Sequence, residues 1–334
     1  MKTKAVIFTG QNQVEFGDVE TPDPGPNDVV VRTTHSWISN GTEGSFLRKE
    51  RYDGVTPWQQ FMPEPYPMVA GYQKVGIVEW IGADVKGFRP GQSVFATITK
   101  VKQMHLGFGG HMAAGPCDAN EVFALPEGLD PVAYSGLVLT QVGYNSGTRP
   151  AVQPGTRAMV VGDGMVGQWA AQTLQNRGAK VLLCGRRPNR LALFEAREGD
   201  LALNGHDADW FARALEWAGG AFEIVVDTVG NEVNFDLNLK LIAHLAHDSH
   251  WVTTGHEGFK AWMDLKQFIY HETTVHTPCG WTRQRLEATL GLIAAGKLKT
   301  LPLITDHLPA AEAREAWRRI SENKQTLGVI LDWE

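Results

Sequence analysis

The sequence predicts an α/β protein of two domains: a doubly wound parallel sheet covered by helices, and a smaller β-rich domain to which both chain ends contribute. Three observations point there. Residues 1–130 are short extended runs broken by glycine and proline, whereas from Asp130 onward strand-like runs alternate with segments of helical periodicity. Between Arg157 and Arg190 a buried strand, a Gly-x-Gly-x-x-Gly turn, a helix and a second buried strand follow one another directly. The tail from Leu301 carries one amphipathic helix and one strand and is expected to rejoin the first domain.

In chain order, Lys4–Phe8, Val14–Phe16, Val29–Thr33 and Val75–Trp80 read as strands, with Pro22, Pro24, Gly25 and Pro26 breaking the chain between them. Gly44 to Pro67 is a long segment with little periodicity, either a wall of a substrate cleft or surface decoration. Ala158–Val161 is apolar without alternation, as a parallel strand buried on both faces should be. A helix follows from Val166, closed by Gly178, and then the strand Lys180–Cys184. Helices are expected over Pro188–Glu198, Asp209–Ala218, Arg283–Ala295 and Ala310–Ile320, and strands over Phe222–Val226, His250–Thr254 and Gly328–Asp332. The β-rich domain is set at residues 1–130 with 300–334, and the parallel-sheet domain at 131–299.

The turn Gly162-Asp163-Gly164-Met165-Val166-Gly167 sits where a dinucleotide site needs it. The first glycine makes the tight turn, the second lets backbone approach a pyrophosphate, and the third lets helix and strand pack while the helix N-terminus faces the anion. The end of the second strand separates the two nicotinamide dinucleotides. A carboxylate there accepts from a ribose 2′-hydroxyl, but this chain reads Gly185-Arg186-Arg187 with Arg190 beyond. Guanidinium groups suit a 2′-phosphate, so the expected cofactor is NADP(H), held by Arg186 with Arg187 and Arg190 in support. A solvated basic helix start is the alternative.

With 43% apolar and 20% charged residues the chain is an ordinary globular protein, and a net charge of −6 gives no general attraction to nucleic acid or membrane. No apolar run approaches a bilayer span, and the opening residues are too short in their apolar part for a signal peptide, so a cytoplasmic location is expected. Cys117, Cys184 and Cys279 are too far apart for a disulfide framework or a structural zinc lobe.

Along nearly its full length the chain resembles the medium-chain dehydrogenase/reductase superfamily. The residues that carry the likeness are Gly71 to Glu79 with Gly82, Val85, Gly87, Phe88, Pro90, Gly91 and Val94, then Gly109 to Ala113, Leu125 to Leu129, the 162–167 turn, Asp227 to Gly230, and Gly328 to Leu331. The resemblance implies a GroES-like catalytic domain, a Rossmann domain, and a cleft where a nicotinamide meets a small-molecule substrate. It implies a homodimer across the edge of the Rossmann sheet and adds Thr140 to the cofactor-binding residues, beside Thr228, Val229, Gly255 and His256, which follow the ends of parallel strands on the cofactor side. For Thr140 a helix N-cap is the competing role. Locally, His35 to Glu43 resembles the bacteriochlorophyllide a dehydrogenase group.

The departures bear on the chemistry. Where zinc relatives place a ligating Cys, His and a third ligand, this chain has Ser39, Tyr72 and a Leu137-Val138-Leu139 run, and Gln73 replaces the acid beside the histidine. Hydroxyl and alkyl groups do not make a tetrahedral N/S site, so no metal is expected, the alternative being a site rebuilt elsewhere from His35, His111 or Glu43. Tyr72 would then bond the substrate oxygen or deliver a proton, or else fill the vacant zinc volume. Ser39 and Thr42 would pass a proton outward, or serve as buried structural hydroxyls. Glu43 would act as a base or orient a neighbour, or cap a helix or pair with a cation. His35, alternating with Val31 and Thr33, reads as a core histidine or a catalytic one, and His111 as a cleft residue. The expected activity is zinc-independent interconversion of a secondary alcohol and a ketone. An enone or quinone reductase and a cofactor-binding protein without turnover are the alternatives.

Overall fold

Short runs of β-branched and aromatic residues between turn residues decide the first half of the chain. The computed structural model describes residues 1–50, 65–230, 235–255 and 265–333, and these divide into one unit of residues 1–138 with 282–334 and another of residues 139–281.

In the first unit β1 (Lys2–Gly10) pairs antiparallel with β2 (Gln13–Glu20) and with β4 (Met68–Val69). A second sheet has the order β10 (Val122–Ala124), β6 (Ser93–Ala96), β5 (Lys74–Ile81), β3 (Asp28–Trp37), β18 (Gly328–Asp332), β17 (Ile304–Pro309), with β9 (Ala114–Asp118) against β3. A two-stranded ladder of β7 (Thr99–Lys100) and β8 (Phe108–Gly109) completes the strands. The tail rejoins the first half, with β18 antiparallel to β3. Its amphipathic helix α9 (Ala313–Glu322) buries Ala313, Ala316 and Trp317, and the Trp317 ring meets Phe8 edge-on at 5.5 Å. Helix α8 (Arg283–Ala294), capped by the Thr282 hydroxyl, also lies in this unit, although the sequence placed it with the parallel sheet.

A local irregularity changes which side chains face inward. The β3–β5 register shifts between Thr33 and His35, and a bulge of this kind moves the following side chains to the other face. Thr33 and Ser36 are both fully buried, while His35 is only half-buried. The expected alternation of His35 with Val31 and Thr33 is thus corrected: Ser36 takes the inward place.

The second unit is a parallel sheet in the order β13 (Leu201–Asn204), β12 (Lys180–Gly185), β11 (Arg157–Val161), β14 (Phe222–Asp227), β15 (Leu245–Thr253), β16 (Thr274–His276). Successive residues of β11 serve opposite faces. Ala158 and Val160 pack with Ala170, Ala171 and Leu174 of α3 (Met165–Asn176). Met159 and Val161 pack with Ala214 of α5 (Trp210–Trp217) and Leu241 of α6 (Phe235–Ile242). Helix on both faces is what the unbroken apolar runs required. Helix α2 (Leu137–Thr148) crosses the boundary of the units, and the short α7 (Leu265–Ile269) precedes β16. The helix expected over Pro188–Glu198 is corrected to α4 (Pro188–Leu191). Beyond it, Asp200 accepts hydrogen bonds from the Arg197 and Val181 N–H groups and from the Gln175 side chain, which draws the chain into a turn. No described helix is long and apolar enough to cross a membrane.

Candidate functional site

The glycine-rich turn follows β11, beside β14, where the strand order reverses; ligands of open parallel sheets bind at such points. Gly162 has φ +112, which L side chains avoid. A Cβ on Gly167 would run into the Gly162 carbonyl oxygen, so helix and strand can approach only through glycine. A Cβ on Gly164 would meet nothing within 4 Å, which leaves this backbone open at the N-terminus of α3, just before Met165 and Val166. Thr228 donates to the Val161 carbonyl at 2.8 Å and packs over Gly162. Asp227 accepts from the Val229 and Gly230 N–H groups at 2.9 and 3.1 Å, and Gly255 backs onto Val229. The ends of three neighbouring strands are thereby brought together. Thr140 lies inside α2, fully buried, so it is not the helix N-cap. His256 falls outside the described residues.

At the end of β12 the structure adds a residue that sequence reasoning missed. The Asp163 carboxylate accepts from the Arg186 and Arg187 N–H groups, both at 2.8 Å. A Cβ on Gly185 would collide with it, so this glycine makes room for Asp163. The available signal was an acid within a turn of otherwise small or apolar residues. Burial, followed by the Asp163 charge, pushes the neighbouring Cys184 thiol up to about 12. Arg186 is exposed and Arg187 half-buried, and neither guanidinium has a carboxylate partner among the described residues. Burial, and then the charge of Arg187, holds half-buried Arg190 below the ordinary arginine range. The arrangement can seat a diphosphate on the helix N-terminus and a further phosphate on guanidinium.

The first unit carries the other candidates. Beyond β3 the chain enters α1 (Thr42–Leu47), so the long segment expected from Gly44 begins inside a helix; residues 51–64 lie outside the described ones. The Tyr72 hydroxyl donates to Ser39 Oγ at 2.7 Å, which joins two residues that sequence reasoning had linked only by role. Ser39 is 1% exposed and Tyr72 half-buried. Glu43, 2% exposed, accepts from the Ser39 N–H at 2.8 Å and lies 2.9 Å from His111 Nε2. His111 Nδ1 lies 2.8 Å from Ser36 Oγ, which accepts from the Trp333 indole at 2.8 Å. Glu43 is therefore the paired acid, not a free base. His111 is corrected from cleft residue to a fully buried one. No described hydrogen bond brings the half-buried Thr42 hydroxyl to the pair. His35 stands apart, edge-on to His307 and 3.7 Å from Asp332, with its pKa lowered first by burial.

A family model described as zinc-binding dehydrogenase matches residues 166–295. A Rhodobacter capsulatus protein named 2-desacetyl-2-hydroxyethyl bacteriochlorophyllide A dehydrogenase is 28% identical over 337 residues, covering 100% of this chain and 99% of that one. A structure described as a short chain alcohol dehydrogenase from Escherichia coli CFT073, complexed with NADH, superposes with a TM-score of 0.82 at 16% identity over 99% of each chain. Another, described as a candidate zinc-binding dehydrogenase from Sinorhizobium meliloti 1021 bound to NADP, gives 0.81 at 17% identity over 99% of each chain. Fold and site together define an oxidoreductase of the dehydrogenase type. In sequence and fold the chain is similar over its full length to the zinc-type alcohol dehydrogenase-like group of the medium-chain dehydrogenase/reductase superfamily, with a GroES-like and a Rossmann domain.

The resemblance matches Ser39, Tyr72 and Val138 to the zinc ligands of that group, and their side chains do not fit the ion. Ser39 and Tyr72 offer two mutually bonded hydroxyls and Val138 an alkyl group, where zinc takes thiolate, imidazole or carboxylate. Among the described residues no three His, Cys, Asp or Glu side chains are grouped to hold a metal ion.

Proposed function

We propose that this chain is an NADP(H)-dependent, zinc-independent oxidoreductase that interconverts a secondary alcohol and a ketone. The observation that carries the reading is the 2.7 Å hydrogen bond between the Tyr72 and Ser39 hydroxyls, two residues that the resemblance matches to zinc ligands. Carbonyl reduction builds negative charge on oxygen, and a placed donor in a dry site can stabilise it in place of a Lewis acid. Ser39 is buried and Tyr72 is not fully so, which makes the phenol the member that meets substrate. Hydroxyl protons rotate, so Ser39 can turn to donate to Tyr72 Oη while Tyr72 donates its proton to the substrate oxygen. Thr42, half-buried on the same segment, is the candidate for passing a proton outward.

When bound, the dinucleotide supplies or accepts the hydride. Gly162, Gly164, Met165, Val166 and Gly167 would hold its pyrophosphate, and Arg186, Arg187 and Arg190 its 2′-phosphate. Thr228, Val229 and Gly255 would border it, with Thr140 assigned by resemblance and His256 by its place after a strand end in the sequence. The two unpaired guanidinium groups support NADP(H) over NAD(H), which leaves no such charge to neutralise. The name of the Rhodobacter relative, a dehydrogenase acting on a hydroxyethyl compound, supports an alcohol as the reduced partner. A cytoplasmic homodimer paired across the Rossmann sheet edge belongs to the same proposal.

Deuteride from labelled NADPH, followed into a panel of ketones and a panel of enones, tests the reaction. Deuterium on a carbinol carbon is expected. Deuterium on an alkene carbon identifies an enone or quinone reductase instead, and transfer to no panel member identifies a protein without turnover.

A further inference from the structure

Glu43 and His111 contribute no exposed atom to the Tyr72–Ser39 pair, yet both segments bearing that pair rest on them. Ser39 leaves β3 with its N–H bound to Glu43 Oε1 at 2.8 Å, which fixes the backbone that aims its hydroxyl. Tyr72 follows Gly71, which adopts φ +83 against the imidazole: a Cβ there would stand 2.7 Å from His111 Cδ2 and Nε2. From the neighbouring strand end, Gly110 lies so close to the Tyr72 N–H that any Cβ would collide with it. Glu43 thus holds one segment and His111 the other, and the 2.9 Å contact between them joins the two.

The direction of the hydrogen bonds follows from the groups involved. The Trp333 indole can only donate, so Ser36 Oγ accepts from it and is free to donate to His111 Nδ1. His111 Nδ1 is then the acceptor, Nε2 carries the proton, and Nε2–H donates to the Glu43 carboxylate, which also receives the Ser39 N–H. Every donor in this network has an acceptor. The Ser–His–Glu order is that of a nucleophilic triad, but Ser36 and His111 are 0% exposed and admit no substrate. What remains is a mechanical role.

We propose that Glu43 and His111 act as a buried brace that positions the Tyr72–Ser39 hydroxyl pair. The inference rests on the reading of that pair as the proton-donating group.

The test needs no substrate. In the full-length protein with NADPH bound, 3-fluorotyrosine is placed at position 72 and its ionisation is followed by fluorine NMR; circular dichroism and NADPH binding serve as checks of folding. A phenolate can only accept, so a correctly aimed Ser39 hydroxyl favours ionisation, and Ser39→Ala should raise the midpoint by about half a pH unit or more. Glu43→Ala should raise it as far. Glu43→Gln keeps the acceptor for the Ser39 N–H and can donate to His111 only if the imidazole changes tautomer, which leaves the Ser36 hydroxyl proton unaccepted. An intermediate rise is therefore expected. A midpoint unmoved by Glu43→Ala while Ser39→Ala moves it overturns the brace and leaves the hydroxyl pair standing. A midpoint unmoved by Ser39→Ala overturns the hydroxyl pair itself. If Glu43→Ala does not fold, Ser36→Ala carries the test, because it removes the second partner of His111 and keeps the carboxylate. A smaller rise in the same direction is expected, and no rise overturns the brace.

Discussion

Replacing Lys74 by methionine should stabilise the protein. Lys74 begins β5, is 0% exposed, and lies across from Ser36 on one side and Ala96 on the other. Its Nζ has no hydrogen-bond partner among the described residues. Burial holds its pKa below the usual lysine range, with Cys117 acting in the opposite sense. A polar group buried without a partner costs about 1–3 kcal/mol, and methionine fills a similar volume without that cost, so Lys74→Met should gain about 2 kcal/mol near neutral pH. In a unit of roughly 200 residues this raises Tm by about 4–8 °C. The pH dependence gives a sharper criterion. The unfolded chain binds a proton that the folded chain resists, so wild-type stability falls as pH drops below the free lysine value of about 10.4, by up to about 1.4 kcal/mol per unit, until the folded pKa is passed. The advantage of Lys74→Met should therefore be largest near pH 6 and shrink towards pH 10. Urea unfolding followed by tryptophan fluorescence across that range measures both quantities. A variant less stable than wild type at pH 6, or one with an unchanged pH slope, would refute the reasoning.

Three further outcomes can be checked alongside it. Arg186→Ala should weaken NADPH binding by about tenfold, roughly the worth of one charge-assisted contact, while leaving NADH binding nearly unchanged, as read by quenching of tryptophan fluorescence. Gly167→Ala should destabilise the parallel-sheet unit by about 2 kcal/mol or more and abolish dinucleotide binding, because its Cβ has no space beside the Gly162 carbonyl; thermal melts with and without NADPH report both effects. Cys279 is exposed whereas Cys117 and Cys184 are buried, and the Cys184 thiol is pushed up to about 12. Iodoacetamide at pH 8 should accordingly label Cys279 alone in the folded protein, and all three cysteines after denaturation, by peptide mass spectrometry.

How far the structure could be foreseen depended on the range of the forces involved. The glycine turn, β11, β12 and β18 were legible because local requirements decide them: a positive φ at Gly162, and apolar runs whose two faces must both be covered. The Ser39 and Tyr72 pair was half-legible, since the residue types announced a missing metal site but not the 2.7 Å bond. Longer-range effects were hidden. Asp200 holds the chain beyond α4 in a turn by hydrogen bonds to residues as distant as Gln175, and helical periodicity cannot register them. The bulge between Thr33 and His35 exchanged the places of His35 and Ser36 through a single irregular residue. Glu43 and His111 are separated by 68 positions, so nothing local to either one signals the other. Asp163 was visible as a letter in the turn, but its function depends on the amides of Arg186 and Arg187, just beyond the end of the neighbouring strand.

The role of the hydroxyl pair is tested most directly by carbonyl reduction with NADPH after exhaustive chelation, with the metal content of the same sample determined. Turnover at the full rate with zinc far below one ion per chain is expected, falling by about 10²–10⁴-fold in Tyr72→Phe. A rate that rises in proportion to bound zinc, and that Tyr72→Phe leaves untouched, would contradict it.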